Sequence, residues 1–291
     1  MLKDGALTVR ELSASDLPAV RRLVTTSEYI YCRFGLEELP RLLAHKPGVA
    51  AFSGQSLQAF LLTNILAPPA AWLGGFGVVW SEGNHFTRYL DLLLPAYMAA
   101  VRRAGATGLY YTGGDLDSDW LKDILLVRQF DLLTTLRSYD KEDYSIPTEG
   151  NQQVTVRPFQ RADVNELLQV EQACFDHYWR YDAASFLEIA DTYPYFVVAV
   201  QDGRVIGYQF NTVDAGMGFL VRIAVHPSLN SRGIGARLMA EAVRFFQAER
   251  VWKIALNTEE KNHHAHRLYE WFGFHYTPPQ GFVLERPLIH R

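Results

Sequence analysis

Phe219-Leu-Val-Arg-Ile-Ala-Val-His-Pro227, continued by Ser228-Leu-Asn-Ser-Arg-Gly-Ile-Gly-Ala236, is the stretch that decides how this chain is read. Its first part reads as a strand ended by proline. Its second part opens directly onto an amphipathic helix whose apolar face is Leu238, Ala242, Phe245 and Phe246. A glycine-bearing turn that starts a helix leaves several N–H groups unpaired beside the positive end of the helix dipole, an arrangement that binds pyrophosphate. Gly233 and Gly235 let a ligand approach the backbone with no Cβ in the way. Taken alone, Gly-x-Gly is more often a plain loop before a helix. A dinucleotide-binding turn matches less well, because Gly233-Ile-Gly235-Ala-Arg-Leu238 lacks the third glycine and the turn from the strand is too long.

Further along, Trp252-Lys-Ile-Ala-Leu256 reads as a buried strand. Asn262-His-His-Ala-His-Arg-Leu-Tyr-Glu-Trp-Phe-Gly-Phe274 reads as a helix started by an asparagine cap and stopped by glycine. Ala265, Leu268, Tyr269 and Phe272 share one face, so by spacing alone Tyr269 is a packing residue.

Together the two segments resemble motifs A and B of the GNAT superfamily of acyl-CoA N-acyltransferases. Val225-His-Pro227 with Arg232-Gly-Ile-Gly-Ala-Arg-Leu238 carries the first. The pattern Asn-x-x-Ala-x-x-Leu-Tyr-x-x-x-Gly-Phe, matched at every specified position, carries the second. The resemblance covers residues 154–286. It implies an α/β fold with a central mixed sheet flanked by helices, and acetyl-CoA as the acyl donor. It further implies a CoA pyrophosphate held by the backbone of Ser231, Arg232, Gly233, Ile234, Gly235 and Ala236, and pantetheine bonded along the strand at Ile223 and Val225 like an added strand. Asn262 would contact the cofactor, and Tyr269 would protonate the departing thiolate, as a phenol with a pKa of about 10 can do. Asn230 stands where the family has Gln or Arg; the phosphate contacts come from backbone amides, so weaker binding is expected there.

Glu171-Gln-Ala-Cys-Phe175 with Tyr178-Trp179 resembles the ribosomal-protein alanine N-acetyltransferases, yet Asn257 holds the position of the glutamate those enzymes use. Asparagine cannot accept a proton. Either a water chain ending at another group such as Glu259, Asp214 or His226 takes the proton, or the amine arrives neutral, or the substrate differs. Arg222 has two readings, a carboxylate-binding group in the acceptor cleft or a structural ion pair. His263, His264 and His266 make an incomplete metal site and no metal is expected; they are expected to face solvent or contact adenosine.

The chain repeats itself at a shift of 147. Val9-Arg10, Leu12, Asp16, Leu17 and Val20 line up with Val156-Arg157, Phe159, Asp163, Val164 and Leu167, and Phe130 matches Phe274 at a shift of 144. Two tandem GNAT-like domains are predicted, 1–145 and 146–291, with the polar segment Lys141 to Gln153 as linker. Leu125 takes the place of Tyr269, Ser118 that of Asn262 and Gln129 that of Gly273, so the first domain is expected to be degenerate and non-catalytic. Tandem domains with a catalytic C-terminal copy resemble mycothiol synthase. The implied activity is acetyl transfer to a primary amine, of a small molecule or a protein N-terminus. A small thiol precursor is an alternative acceptor, and a non-catalytic acyl-CoA-binding module an alternative function.

At 291 residues two domains are expected, and 48% apolar with 21% charged residues is the composition of an ordered globular chain. A formal charge of −4 offers no broad field for nucleic acid. Cys32 and Cys174 form no metal or C-x-x-C spacing and fit a reducing, cytoplasmic setting, each as a buried apolar residue. The amino terminus has no apolar h-region and no run reaches the roughly 18 apolar residues of a membrane span, so no membrane partner is expected.

Overall fold

The computed structural model describes residues 7–288; Met1 to Ala6 and residues 289–291, at the outer ends of the two expected domains, lie outside the described residues. Two compact units emerge. The first comprises residues up to Thr112, 120–133 and the chain from Val283; the second comprises 113–119 and 134–282. The halves read from the repeat thus trade segments: a strand from the first half is counted with the second unit, and the end of the chain with the first.

In chain order the first half forms β1 (Leu7–Glu11), α1 (Leu17–Thr26), β2 (Ile30–Cys32), α2 (Leu39–His45), β3 (Gly48–Ser53), β4 (Ser56–Ala67), β5 (Ala70–Val78), α3 (Phe86–Arg103), β6 (Gly108–Gly113), α4 (Lys122–Leu126) and β7 (Asp131–Lys141). The second half forms β8 (Thr155–Pro158), α5 (Val164–Cys174), α6 (Ala183–Thr192), β9 (Tyr195–Gln201), β10 (Arg204–Asp214), β11 (Met217–Val225), α7 (Ile234–Ala248), β12 (Lys253–Glu259), α8 (His263–Trp271) and β13 (His275–Pro287).

The first unit orders its strands β1-β3-β4-β5-β6, and the second orders them β8-β9-β10-β11-β12-β7. In each, the leading pairs are antiparallel and only β5 with β6, or β11 with β12, run parallel. The duplication reaches individual bonds. Arg10 holds Asp16 through two hydrogen bonds of 2.8 and 2.6 Å, and Arg157 holds Asp163 through two of 2.7 Å. Phe130 N–H donates to Leu125 O as Phe274 N–H does to Tyr269 O, after Gln129 and Gly273, both left-handed at φ 64° and 78°.

Alternation along β9 shows how the second unit is layered. Phe196 and Val198 pack with Leu167, Val170, Phe186 and Ile189 of α5 and α6, whereas Val197 and Ala199 pack with Ile234 and Leu238 of α7. The fully buried Phe246 of α7 lies over Gly218, where an added Cβ would come within 2.4 Å of the ring.

The chain closes with one long strand, β13, which runs through Pro278-Pro279-Gln280-Gly281; proline costs a strand only the bond its missing N–H would have made, and Gln280 O still accepts from Leu116 N–H at 2.8 Å. Two sequence expectations change. Trp252, read into a buried strand, precedes β12 and is 57% exposed. The polar linker is firmly held: Lys141 Nζ is buried between Asp143 (2.5 Å) and Ser145 (2.8 Å).

Phe246→Ala removes a ring that the glycine opposite cannot replace, so urea unfolding of the full chain should show a loss of about 3–5 kcal/mol.

Candidate active site

β11 pairs with β12 only at Met217, Gly218 and Phe219, facing Lys253, Ile254 and Ala255, and then the two strands separate. On its other edge β11 remains paired with β10 as far as Val225. His226 N–H donates to Ile206 O on the β10 side at 2.9 Å. By strand alternation the N–H groups of Ile223 and Val225 therefore point to the opposite edge, into the gap opened by the separation. Cys174 Sγ–H donates to Val225 O at 3.2 Å; burial pushes this thiol up to about 12, so it is a donor rather than a nucleophile.

The strand leads into a turn that is left-handed at Ser231 (φ 62°) and Gly233 (φ 74°) before α7 begins at Ile234. Ser231, Arg232 and Gly233 are exposed, Gly235 is half-buried, and the side chains of Ile234 and Ala236 are buried. Arg237 N–H is bonded to Gly233 O at 3.0 Å; the N–H groups of Ile234, Gly235 and Ala236 precede this first helical donor and are left outward.

Sequence reading missed what supports this turn. Asn151 donates its backbone N–H to Gly233 O at 3.0 Å and its Nδ2 to Arg232 O at 3.0 Å. A trans peptide carries its C=O and N–H on opposite sides. Gripping these two carbonyls therefore turns the N–H groups of Gly233 and Ile234 away from the linker, toward the open side. Gly150 is required beside it, since at φ 66° an added Cβ would come within 2.2 Å of Arg237 N. The signal was present as Gly150-Asn151 in a polar linker, but nothing in the sequence ties that segment to residue 233.

Asn262 caps α8, accepting from Ala265 N–H at 3.3 Å and donating to Thr258 Oγ1 at 3.0 Å. About two turns later the ring of Tyr269 is buried among Met239, Val243, Leu256 and Phe272, edge-on to Tyr139 of β7 at 5.8 Å. Its hydroxyl bonds to no described residue and is not among the fully buried unpaired oxygens. Burial raises its pKa above the ordinary phenol value.

His266 corrects an expectation. It is 6% exposed rather than solvent-facing, with Nδ1 on Tyr139 OH at 2.8 Å and Nε2 on Glu260 O at 3.0 Å. The carbonyl only accepts, so neutral His266 carries its proton on Nε2 and Tyr139 donates to Nδ1. His263 and His264 are exposed. Among the described residues no group of three or more His, Cys, Asp or Glu is placed to hold a metal ion.

Arg222 resolves to the ion-pair reading. It holds fully buried Glu171 at 2.8 Å, donates to Trp179 O at 2.9 Å, and lies over the rings of Phe175 (4.0 Å) and Tyr181 (4.3 Å). Tyr208 OH also donates to Glu171. Burial pushes Glu171 upward, against the pull of Arg222.

The three carboxylate or imidazole candidates separate by position. Asp214 pairs with Met217, eight residues along β11 from Val225 and so about 26 Å away by strand rise. His226 follows Val225, is half-buried, and shares a hydrogen with Ser228 Oγ at 2.8 Å. Glu259 lies four residues past the last β11–β12 pair, level with Ile223 across the gap, and by alternation on the same strand face as Asn257. It accepts from Tyr178 OH at 2.9 Å and lies 3.6 Å from Lys261 Nζ.

Residues 161–274 match the GNAT acetyltransferase family. The chain is 32% identical over 84 residues to a mycothiol acetyltransferase of Acidimicrobium ferrooxidans, a match spanning 27% of each chain. It is 29% identical over 121 residues to an uncharacterized N-acetyltransferase of Methanocaldococcus jannaschii, 41% of this chain and 76% of that one. A tandem GNAT protein from the clavulanic acid biosynthesis pathway superposes with a TM-score of 0.66 over 98% of this chain and 99% of its own, at 14% identity, a likeness of fold. An opened strand pair, an exposed left-handed turn before α7 and a tyrosine on α8 all fall within residues 161–274, the segment that matches the GNAT acetyltransferase family.

Proposed function

We propose that the chain is an acetyl-CoA-dependent N-acetyltransferase acting on a primary amine, with its one site in the second unit. The observation that carries the reading is the pair of N–H groups left open on β11 at Ile223 and Val225, followed by the outward N–H groups at the start of α7. An extended chain bearing amides, ending in a pyrophosphate, satisfies both: pantetheine adds to the strand edge, and the phosphates meet Ser231 to Ala236. Asn262, at the start of α8, is the side chain assigned to the cofactor from that helix.

The amine attacks the thioester carbonyl, forming the C–N bond, and the oxygen that gains charge is met by Val225 N–H. Collapse breaks the C–S bond, and Tyr269 gives its proton to the departing sulfur. Glu259 is the group assigned to take the proton from the amine, standing in for Asn257 from the same strand face. The likeness to a mycothiol acetyltransferase favours the amine of a small thiol precursor as the first acceptor to try.

Tyr269→Phe should lower kcat by about 100-fold or more, with the calorimetric affinity for acetyl-CoA unchanged. Because burial raises the pKa of Tyr269, the acid form persists as pH rises past the ordinary phenol value, so kcat should show no loss through ionisation of this group up to pH 10. Full activity in the variant would remove Tyr269 from the mechanism.

Turnover in Glu259→Gln should drop about 100-fold, whereas Asp214→Asn should behave as the parent; the reverse order would move the base to the other end of β11. Asn151→Ala should weaken acetyl-CoA binding by up to about tenfold, the worth of one hydrogen bond, while kcat at saturation is kept. A fall in kcat with unchanged affinity would exclude the bracing role.

A further inference from the structure

The first unit repeats the arrangement that opens the gap in the second, and fills it with its own chain. β5 pairs with β6 only at Ala70, Ala71 and Trp72, the counterparts of Met217 to Phe219 at the shift of 147. Beyond them β5 stays paired with β4 on one edge, and Val79 N–H donates to Gln58 O, as His226 N–H does to Ile206 O. Ser27 Oγ–H donates to Val78 O at 2.5 Å, the counterpart of Cys174 on Val225 O. The two strands are equivalent residue by residue.

What differs is the other edge. β2 pairs antiparallel with β5, setting Ile30, Tyr31 and Cys32 against Gly77, Phe76 and Gly75. Val78 N–H donates to Tyr29 O at 3.2 Å and Arg33 N–H to Gly74 O at 2.8 Å. Phe76 and Val78 are the counterparts of Ile223 and Val225, so the two N–H groups left open in the second unit are consumed in the first. Across the gap, Tyr31 OH and Arg33 donate to Thr112 O of β6 at 2.9 and 3.1 Å.

Side chains explain why this strand closes in one unit and not in the other. An added Cβ at Gly75 would meet Phe34 at 2.8 Å, and one at Gly77 would meet Ile30 at 2.5 Å. Bare backbone at these positions lets β2 lie flat. In the second unit the counterpart of Gly75 is Arg222, whose guanidinium holds Trp179 O, and residues 176–180 form no ladder with β11. The ring of Tyr29 also lies against Gly83, in the turn before α3, where a Cβ would come within 2.0 Å.

We propose that β2 is a built-in occupant of the first unit's cofactor slot, lying where a pantetheine arm would add to β5, so that the chain takes one acyl-CoA and the first unit takes none. The identity of the excluded ligand rests on the reading of the second unit as an acetyl-CoA site; the occupancy of the slot does not.

Hydrogen–deuterium exchange on the full chain, read on peptides covering 74–79 and 221–226 with and without saturating acetyl-CoA, tests both separately. In the free protein 74–79 should exchange at least about tenfold more slowly than 221–226, since paired amides must open first. Acetyl-CoA should slow 221–226 and leave 74–79 unchanged, with calorimetry giving one molecule bound per chain. Slowing of 74–79 by acetyl-CoA, two molecules per chain, or equally fast exchange of the two peptides in the free protein would overturn the proposal. If acetyl-CoA slows neither peptide, the reading of the second unit fails, while the free-protein comparison still decides whether β2 fills the slot.

Discussion

Every buried backbone N–H and C=O has to be paired, and the separation of β11 from β12 after Phe219 leaves that requirement unmet along one strand edge. The rest of the second unit is arranged around this edge. The edge ends at Val225 and α7 starts at Ile234, after a turn left-handed at Ser231 and Gly233, so the strand's free N–H groups are followed by those of the helix's first turn. Linker residue Asn151 then aims that turn by holding the carbonyls opposite. Each of these contacts is local and small. Their common effect is to keep a row of donors facing one way.

Keeping such an edge open has a structural cost, met by the buried cluster beneath it. Glu171 is fully buried and would be unstable as an unpaired charge, but Arg222, Tyr208 and the N–H of Tyr181 all reach it. The same Arg222 lies over Phe175 and Tyr181 and restrains Trp179 through its carbonyl. An ion pair buried this deeply contributes little net stability, yet removing either partner strands the other. Its role here is geometric: it fixes the crossing segment after α5 at a distance from β11.

The other wall of the site comes from both halves of the chain. Tyr139, on β7 from the first half, packs edge-on to Tyr269 and donates to His266, which in turn reaches Glu260 O. This chain of bonds orients α8 through a side chain that lies more than a hundred residues earlier. Tyr269 keeps a free hydroxyl because its neighbour's hydroxyl is already engaged.

Local pattern was enough for the elements that announce themselves in consecutive residues. The proline-ended strand, the glycine turn before α7, the asparagine cap of α8 and the repeat at a shift of 147 were legible because each is a property of spacing and of backbone freedom at single positions. His266 was misjudged because a histidine's partners are set by distant strands, and Arg222 stayed ambiguous because its choice depends on where Glu171 is buried. The pairing of β2 with β5 was hidden for the same reason: three ordinary residues become a strand only when a glycine-bearing edge is presented to them. Sequence by itself marked the motif-bearing segment that matches the GNAT acetyltransferase family, through the spacing of its motifs and its turn chemistry. Which of two equivalent strand edges stays open was decided only by tertiary structure, because a hydrogen-bond donor is defined as free by what the fold brings, or does not bring, within its reach.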